Sequence, residues 1–183
     1  MKLIETPIAG LLVIEPRVFT DDRGYFFESF NERTFRGATN HQHQFIQDNQ
    51  ARSSVNVLRG LHFQNDPHAQ TKLVRVLEGA IWDVALDLRK NSKTYGRWFG
   101  IELSAENRLQ LLVPRGFAHG YSVLSPTAEV FYKCDNYYNK SSEGGVRYDD
   151  PELGIDWKID LSNAIVSDKD KVLPLLRENP ILL

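Results

Sequence analysis

Between Gln44 and Asp135 the chain repeats one pattern: a short apolar or alternating run, a turn residue, then another run. Strands are expected near Gln44–Asp48, Ser54–Leu58, Leu61–Gln64, Lys72–Leu77, Ile81–Leu88, Trp98–Leu103, Leu109–Val113, Tyr121–Leu124 and Glu129–Asp135. So many strands at mostly about 8 to 12 residue spacing, with turns such as Glu78-Gly79, Asn91-Ser92 and Ser125-Pro126, fit an all-β sandwich or jelly roll with a few short peripheral helices. Upstream, Leu11–Ile14 reads as a strand closed by Glu15 and Pro16. Asp21 to Gly24 reads as a turn, and Tyr25–Phe30 as an aromatic strand carrying Glu28. Asn31 is placed to cap a short helix ending at Arg36 before Gly37. The tail from Ser167 is the best helix candidate, with Asp168 as its cap and Val172, Leu175 and Leu176 at helical spacing. Pro174 limits its length.

With 183 residues the chain has material for one well-formed core, so residues 1–183 are expected to form a single domain. A formal charge of -2 gives no general attraction to nucleic acid, and any anion site must be local. Cys134 is alone, which excludes an internal disulfide and fits a reducing cytoplasm. The first residues, MKLIETPIAGLLVIEP, mix Lys2, Glu5 and Glu15 with an apolar run interrupted by Pro7. They read as neither a signal peptide nor a membrane span.

Chemistry concentrates in Asn56–Gln64, NVLRGLHFQ, where Arg59 and His62 interrupt an apolar run. Such groups are costly inside a sheet unless a partner or ligand meets them. Strict alternation sends Arg59 and His62 to opposite faces, but a bulge at Gly60 turns both inward. The same parity puts Lys72 on a face with Val74 and Val76, and Tyr132 on a face with Val130 and Cys134. Each has a bland explanation: a snorkelling lysine, a core tyrosine with a satisfied hydroxyl, a core histidine. Together they are a base, a cation and a weak acid converging on one interior, the set needed to remove a proton beside a carbonyl and return one.

No GxGxxG or GxxxxGK string is present, so neither a dinucleotide nor a P-loop is indicated. Pro114–His119, PRGFAH, resembles the second, histidine-bearing motif of the cupins, which raises the question of a metal. The first cupin motif needs a His-x-His pair, whereas this chain has His62 and Gln64, which argues against a tight metal site. His41 and His43 do form such a pair, in a polar stretch with no glutamate at the right distance, and are expected to be solvated loop residues.

The strings FTDDRGYFFESF, FIQDNQARSSVNVLRGLHFQ, HAQTKLVRVLEGAIWDVALDLRKNSKTYGRW, LLVPRGFAHGYSVL, AEVFYKCDNYY and LGIDW, followed by SDKD, closely resemble the dTDP-4-dehydrorhamnose 3,5-epimerase family, from about residue 3 to residue 176. The resemblance implies a cupin-type jelly-roll barrel, a homodimer, no metal and no cofactor. It implies inversion of carbons 3 and 5 of dTDP-4-dehydro-6-deoxy-D-glucose to give dTDP-4-dehydro-L-rhamnose, a step toward bacterial surface polysaccharide. A relative that inverts one carbon of a related 4-ketosugar, or a non-catalytic sugar-binding cupin, is the alternative.

By resemblance, His62 in RGLH is the proton-abstracting base, Tyr132 in VFYK the proton donor, and Asp170 in SDKD the aspartate behind the base, with Asp168 its near rival. Lys72 and His119 match residues lining the sugar pocket, Lys72 being the candidate to stabilise an enolate. Arg23, Glu28, Gln47, Asn49, Arg59, Glu143 and Lys169 fall at positions that contact the nucleotide sugar. Phe26, Tyr137 and Tyr138 are available to stack on the thymine. Ala51, Asn56, Thr71 and Tyr148 depart from the family's usual serine, glycine, glycine and tryptophan. Asn tolerates positive φ, so a turn at Asn56 survives the change.

Overall fold

The computed structural model describes residues 1–39, 42 and 44–179; His41 and His43 lie outside them. The strands, in chain order, are β1 (Lys2–Glu5), β2 (Leu12–Glu15), β3 (Val18–Asp21), β4 (Gly24–Phe27), β5 (Gln47–Ser54), β6 (Val57–Gln64) and β7 (Lys72–Glu78). They continue with β8 (Ala80–Asp87), β9 (Trp98–Ser104), β10 (Gln110–Val113), β11 (Phe117–Val123), β12 (Thr127–Cys134), β13 (Glu143–Gly145) and β14 (Ile165–Val166). Helices are short: α1 (Glu32–Thr39) and the single turn α2 (Asp168–Lys171).

Two sheets make the barrel. One runs β1-β2-β10-β7-β12-β5 and the other β13-β6-β11-β8-β9, with β14 joined to β6. Between them lies a core of Val13, Val74, Val76, Val130, Leu111 and Val113 from the first sheet and Ile81, Ala85, Leu103 and Val123 from the second. The outer face of the second sheet is covered by Val146, Ile155 and Trp157, which pack on Leu58, Leu61, Phe63, Val84 and Leu86. That double covering explains why β8 reads as a nearly continuous apolar run: with both faces buried, alternation has no solvent side to mark. The outer face of the first sheet is covered more lightly, by Phe35 of α1 with Phe30 and Phe45 around Leu73 and Leu112. The expected jelly roll is the fold observed.

Several boundaries differ from expectation, each for a local reason. The two strands read at Ser54–Leu58 and Leu61–Gln64 are the end of β5 and one continuous β6. The turn falls at Val55-Asn56, where Asn56 takes φ 65°. The strand expected at Gln44–Asp48 starts at Gln47 and runs on to Ser54, paired along its whole length with β12. The aromatic strand ends at Phe27, so Glu28 leaves it. Helix α1 passes through Gly37 to Thr39, because burial of Phe35 outweighs the modest cost of a mid-helix glycine. In the tail, Ser167 rather than Asp168 is the cap, its hydroxyl accepting the Asp170 N–H. Helix α2 stops after one turn, and Val172 is 80% exposed. Pro174 removes the donor that a longer helix needs.

The strands β3 and β4 stand apart from the barrel as their own two-stranded sheet, Asp21 opposite Gly24 across the turn. Among the described residues no helix is long and apolar enough to cross a membrane.

Candidate active site

The site begins with an irregularity in β6. His62 lies opposite His119 on β11 and Arg59 opposite Tyr121, so β6 uses one more residue than its partner over that span. The extra residue sits at Gly60, whose φ of +117° excludes most side chains. A Cβ there would come within 2.6 Å of Gly120 Cα, and one on Gly120 within 2.6 Å of the Arg59 carbonyl oxygen. The two strands therefore touch backbone to backbone. The outcome is the one that parity alone forbids: Arg59 and His62 line the same cavity.

His62 Nε2 lies 2.7 Å from Asp170 Oδ1, and the second carboxylate oxygen accepts the Gly60 N–H at 3.1 Å. One carboxylate thus holds both the imidazole and the bulge. Burial pushes the Asp170 carboxyl up, but the His62 hydrogen bond and charge and the Gly60 and Ser167 contacts outweigh it, leaving it below the usual carboxylate range. Asp168 points away, fully exposed and paired with Lys171. The Asp170 side chain is 4% exposed and that of His62 31%, so the imidazole is the member that meets the cavity.

From the facing sheet come Lys72 on β7 and Tyr132 on β12, the ammonium 5.8 Å from the phenol ring centroid. Burial depresses the Lys72 pKa, with Cys134, Asp83 and Glu143 pulling it back. Among the described residues no carboxylate reaches it as an ion pair. Burial likewise pushes the Tyr132 phenol up to about 12, so it carries its proton at neutral pH. His119, buried, places Nε2 2.8 Å from Asp83 Oδ1 on β8. Arg59 gives its Nε–H to Ser53 Oγ at 3.1 Å.

These groups surround a cavity of about 480 Å³ that also meets Lys169 and Asp170. An adjoining space of about 270 Å³ shares His62, Lys72 and Tyr132 and adds Gln47, Asn49, Tyr138 and Glu143. Glu143 is ion-paired with Lys169 and accepts the Tyr138 hydroxyl at 3.0 Å. Burial acts against the Glu143 carboxylate, yet the Lys169 and Tyr138 hydrogen bonds hold its pKa below the ordinary value. Asn49 receives a hydrogen bond from Gln47 at 3.2 Å, and Gln47 Oε1 accepts the Tyr138 N–H.

Two expected residues do not join this group within the chain. Arg23 sits at the tip of the β3–β4 hairpin, its guanidinium hydrogen-bonded to Asp21. Glu28 lies just past the hairpin, accepting from Asn31 at 3.0 Å and lining a separate cavity of about 330 Å³ with Phe30 and Phe35. Of the aromatic residues proposed for thymine, Tyr138 borders the site, whereas Phe26 lies on the hairpin. Sequence reading missed Asp83 and Tyr121. The signal for Asp83 was a carboxylate inside the apolar run AIWDVALD; for Tyr121 it was its position two residues after His119 on one strand face.

The family model described as dTDP-4-dehydrorhamnose 3,5-epimerase matches residues 5–178. The chain belongs to that family. The dTDP-4-dehydrorhamnose 3,5-epimerase of Escherichia coli is 51% identical over 178 residues, covering 97% of this chain and 96% of that one. The crystal structure of the enzyme of that name from Elizabethkingia anophelis superposes with a TM-score of 0.94 at 56% identity, covering 97% of both chains. The dTDP-6-deoxy-D-glucose-3,5-epimerase of Legionella pneumophila, in complex with dTDP-4-keto-L-rhamnose, superposes with a TM-score of 0.92 at 44% identity, covering 96% of this chain and 93% of its own. As a member of the 3,5-epimerase family the chain is an isomerase acting in the dTDP-rhamnose pathway, on the cupin-type scaffold that its relatives share.

Proposed function

We propose that this epimerase inverts carbons 3 and 5 of dTDP-4-dehydro-6-deoxy-D-glucose by deprotonation at His62 and reprotonation from Tyr132 through an enolate. The single observation that carries this reading is the opposition of the two walls: His62, backed by Asp170, arises from one sheet, and Tyr132 with Lys72 from the other, around one cavity. Inversion requires a proton to leave one side of the ring and another to arrive on the opposite side, which that arrangement provides.

The obstacle is thermodynamic. A hydrogen beside a ketone is less acidic than an imidazolium by on the order of a dozen pKa units, about 16 kcal/mol. Lys72 lowers that barrier by meeting the oxygen on which charge develops, one oxyanion donor typically contributing about 3 to 4 kcal/mol. His119 is the second group on that oxygen. Asp170 fixes the His62 tautomer and favours the imidazolium once it forms. Arg59 and Lys169 receive the diphosphate, the guanidinium matching paired oxygens through the edge that Ser53 leaves free. Gln47, Asn49 and Glu143 hold the nucleotide-sugar side, with Tyr138 beside the base. The reaction is a proton exchange and, as written, consumes no cofactor and needs no metal.

Arg23 and Glu28 enter this scheme through a second copy of the chain. Their hairpin carries Phe19, Tyr25 and Phe26 at 51%, 57% and 71% exposure, an aromatic surface a monomer has little reason to keep in water. In the homodimer we propose, that hairpin reaches the neighbour's cavity and delivers Arg23 to the ligand. The setting is the cytoplasm, where the nucleotide sugar is made and Cys134 stays reduced.

Incubation with dTDP-4-dehydro-6-deoxy-D-glucose in D2O, followed by proton NMR, tests the reading: deuterium enters at carbons 3 and 5 and the L-configured product accumulates. Exchange at only one carbon identifies a single-position epimerase. Activity that disappears on chelation and returns with a divalent metal overturns the metal-free mechanism.

A further inference from the structure

The hydroxyl of Tyr121 has no role in the scheme above. The residue is 5% exposed and packed in the barrel core, yet its side chain borders the cavity of His62 and Arg59. Its Oη is a buried polar atom without a hydrogen-bond partner among the described residues. Buried hydroxyls in folded proteins are almost always satisfied, so one that borders a ligand cavity without a partner marks a place where a ligand supplies the missing acceptor.

The neighbours narrow what that acceptor is. Tyr121 lies directly opposite Arg59 on β6 and Asp83 on β8, which sets the three in one row across three strands, Asp83 at its buried end and Arg59 at its exposed one. Ser53 stands beside the phenol, but its oxygen is the acceptor for Arg59 Nε and it makes no aligned hydrogen bond to Tyr121. Asp83 gives Oδ1 to His119, and its Oδ2 finds no donor, so Tyr121 does not serve it either. Burial holds the phenol's pKa above its ordinary value, which keeps the proton in place as a donor at neutral pH. A neutral donor beside a guanidinium recognises an anionic oxygen in a definite direction, where the guanidinium alone supplies charge.

We propose that Tyr121 donates its hydroxyl proton to an oxygen of the sugar-proximal phosphate of the bound nucleotide sugar, beside Arg59, making it a positioning group for the diphosphate. This rests on the reading above that Arg59 receives the diphosphate.

The test is titration calorimetry of Tyr121→Phe, which keeps the ring and removes only the oxygen, with dTDP and dTMP as probes. Loss of one hydrogen bond to a charged acceptor is expected to weaken dTDP binding about tenfold or somewhat more. Binding of dTMP, which lacks the sugar-proximal phosphate, should be unchanged, and KM for the nucleotide sugar should rise with kcat retained. The unliganded variant should melt no lower than the parent, while the rise in melting temperature on adding dTDP shrinks. Unchanged dTDP affinity overturns the proposal. A raised KM with unchanged dTDP affinity overturns the phosphate assignment in favour of a sugar oxygen. A parallel Arg59→Lys variant separates the two layers: if it too leaves dTDP affinity intact, the diphosphate reading itself fails, and if it alone weakens binding, only the role of Tyr121 falls.

Discussion

The barrel interior and the β3–β4 hairpin both carry residues proposed to meet the same nucleotide sugar, and they are built in opposite ways. In the barrel the candidate side chains stand on strands or against one, and three have the rear fixed: His62 by Asp170, His119 by Asp83, Arg59 by Ser53. On the hairpin, Arg23 is held, among the described residues, only by Asp21 two residues away, and Phe19, Tyr25 and Phe26 are each more than half exposed. The contrast separates two tasks. Proton transfer needs groups fixed to fractions of an ångström on rigid elements, whereas gripping a nucleotide tolerates a part that, in the proposed homodimer, is positioned only when a second chain docks.

Variants on the two regions should therefore fail differently. The largest effect is expected from His62→Ala, which should lower kcat about a thousandfold or more and abolish deuterium exchange; retained exchange would remove His62 from the base role. Lys72→Met comes next, with turnover down roughly 100- to 1000-fold. Because burial disfavours the ammonium, the same variant should melt higher than the parent, and a lower melting temperature would show that Lys72 supports the fold instead. On the hairpin, Arg23→Ala should raise KM about tenfold with kcat nearly intact, measured by steady-state kinetics. Phe26→Ser, at a ring 71% exposed, should leave the barrel folded but shift the proposed dimer toward monomer in sedimentation, with specific activity falling on dilution. A collapse of kcat in either hairpin variant at saturating substrate and high protein concentration would erase the distinction.

The smallest effect concerns pH. Asp170 ionises in the folded protein below its ordinary value of 3.8, so the native chain binds fewer protons there than the unfolded one. Its contribution to stability is complete above that value and fades as pH falls through the folded pKa. Asp170→Asn should accordingly show a flatter acid limb in denaturation curves below about pH 4, with little difference in slope at neutral pH. Parallel acid limbs would remove the linkage.

The placement of the barrel's candidate residues was legible because alternation is a strong rule. Lys72 and Tyr132 could be placed inside from the valines two residues away, and Gly60 marked where the rule had to bend for Arg59 and His62. Asp170 could be named but not distinguished from Asp168, since a one-turn helix leaves no periodicity to read. The Ser167 cap is local, but the contact that chooses the carboxylate, with the Gly60 N–H, is tertiary. The hairpin resisted for another reason. Its exposed rings obey no inward-facing pattern, and Glu28 looked like part of a strand that in fact ends at Phe27. Tyr121 escaped because an aromatic residue in an apolar run reads as core, and it is core apart from one oxygen.

The backbone contact between Gly60 and Gly120 sets a boundary on how this pocket can be altered. The angle at which imidazole and guanidinium enter is encoded in two residues without side chains, Gly60 behind the wall and Gly120 on it. Neither can acquire even a methyl group without pushing the strands apart. A mutational search confined to cavity-lining positions would sample Gly120 but not Gly60, and homologous pockets should be aligned on this glycine pair before their side chains are compared.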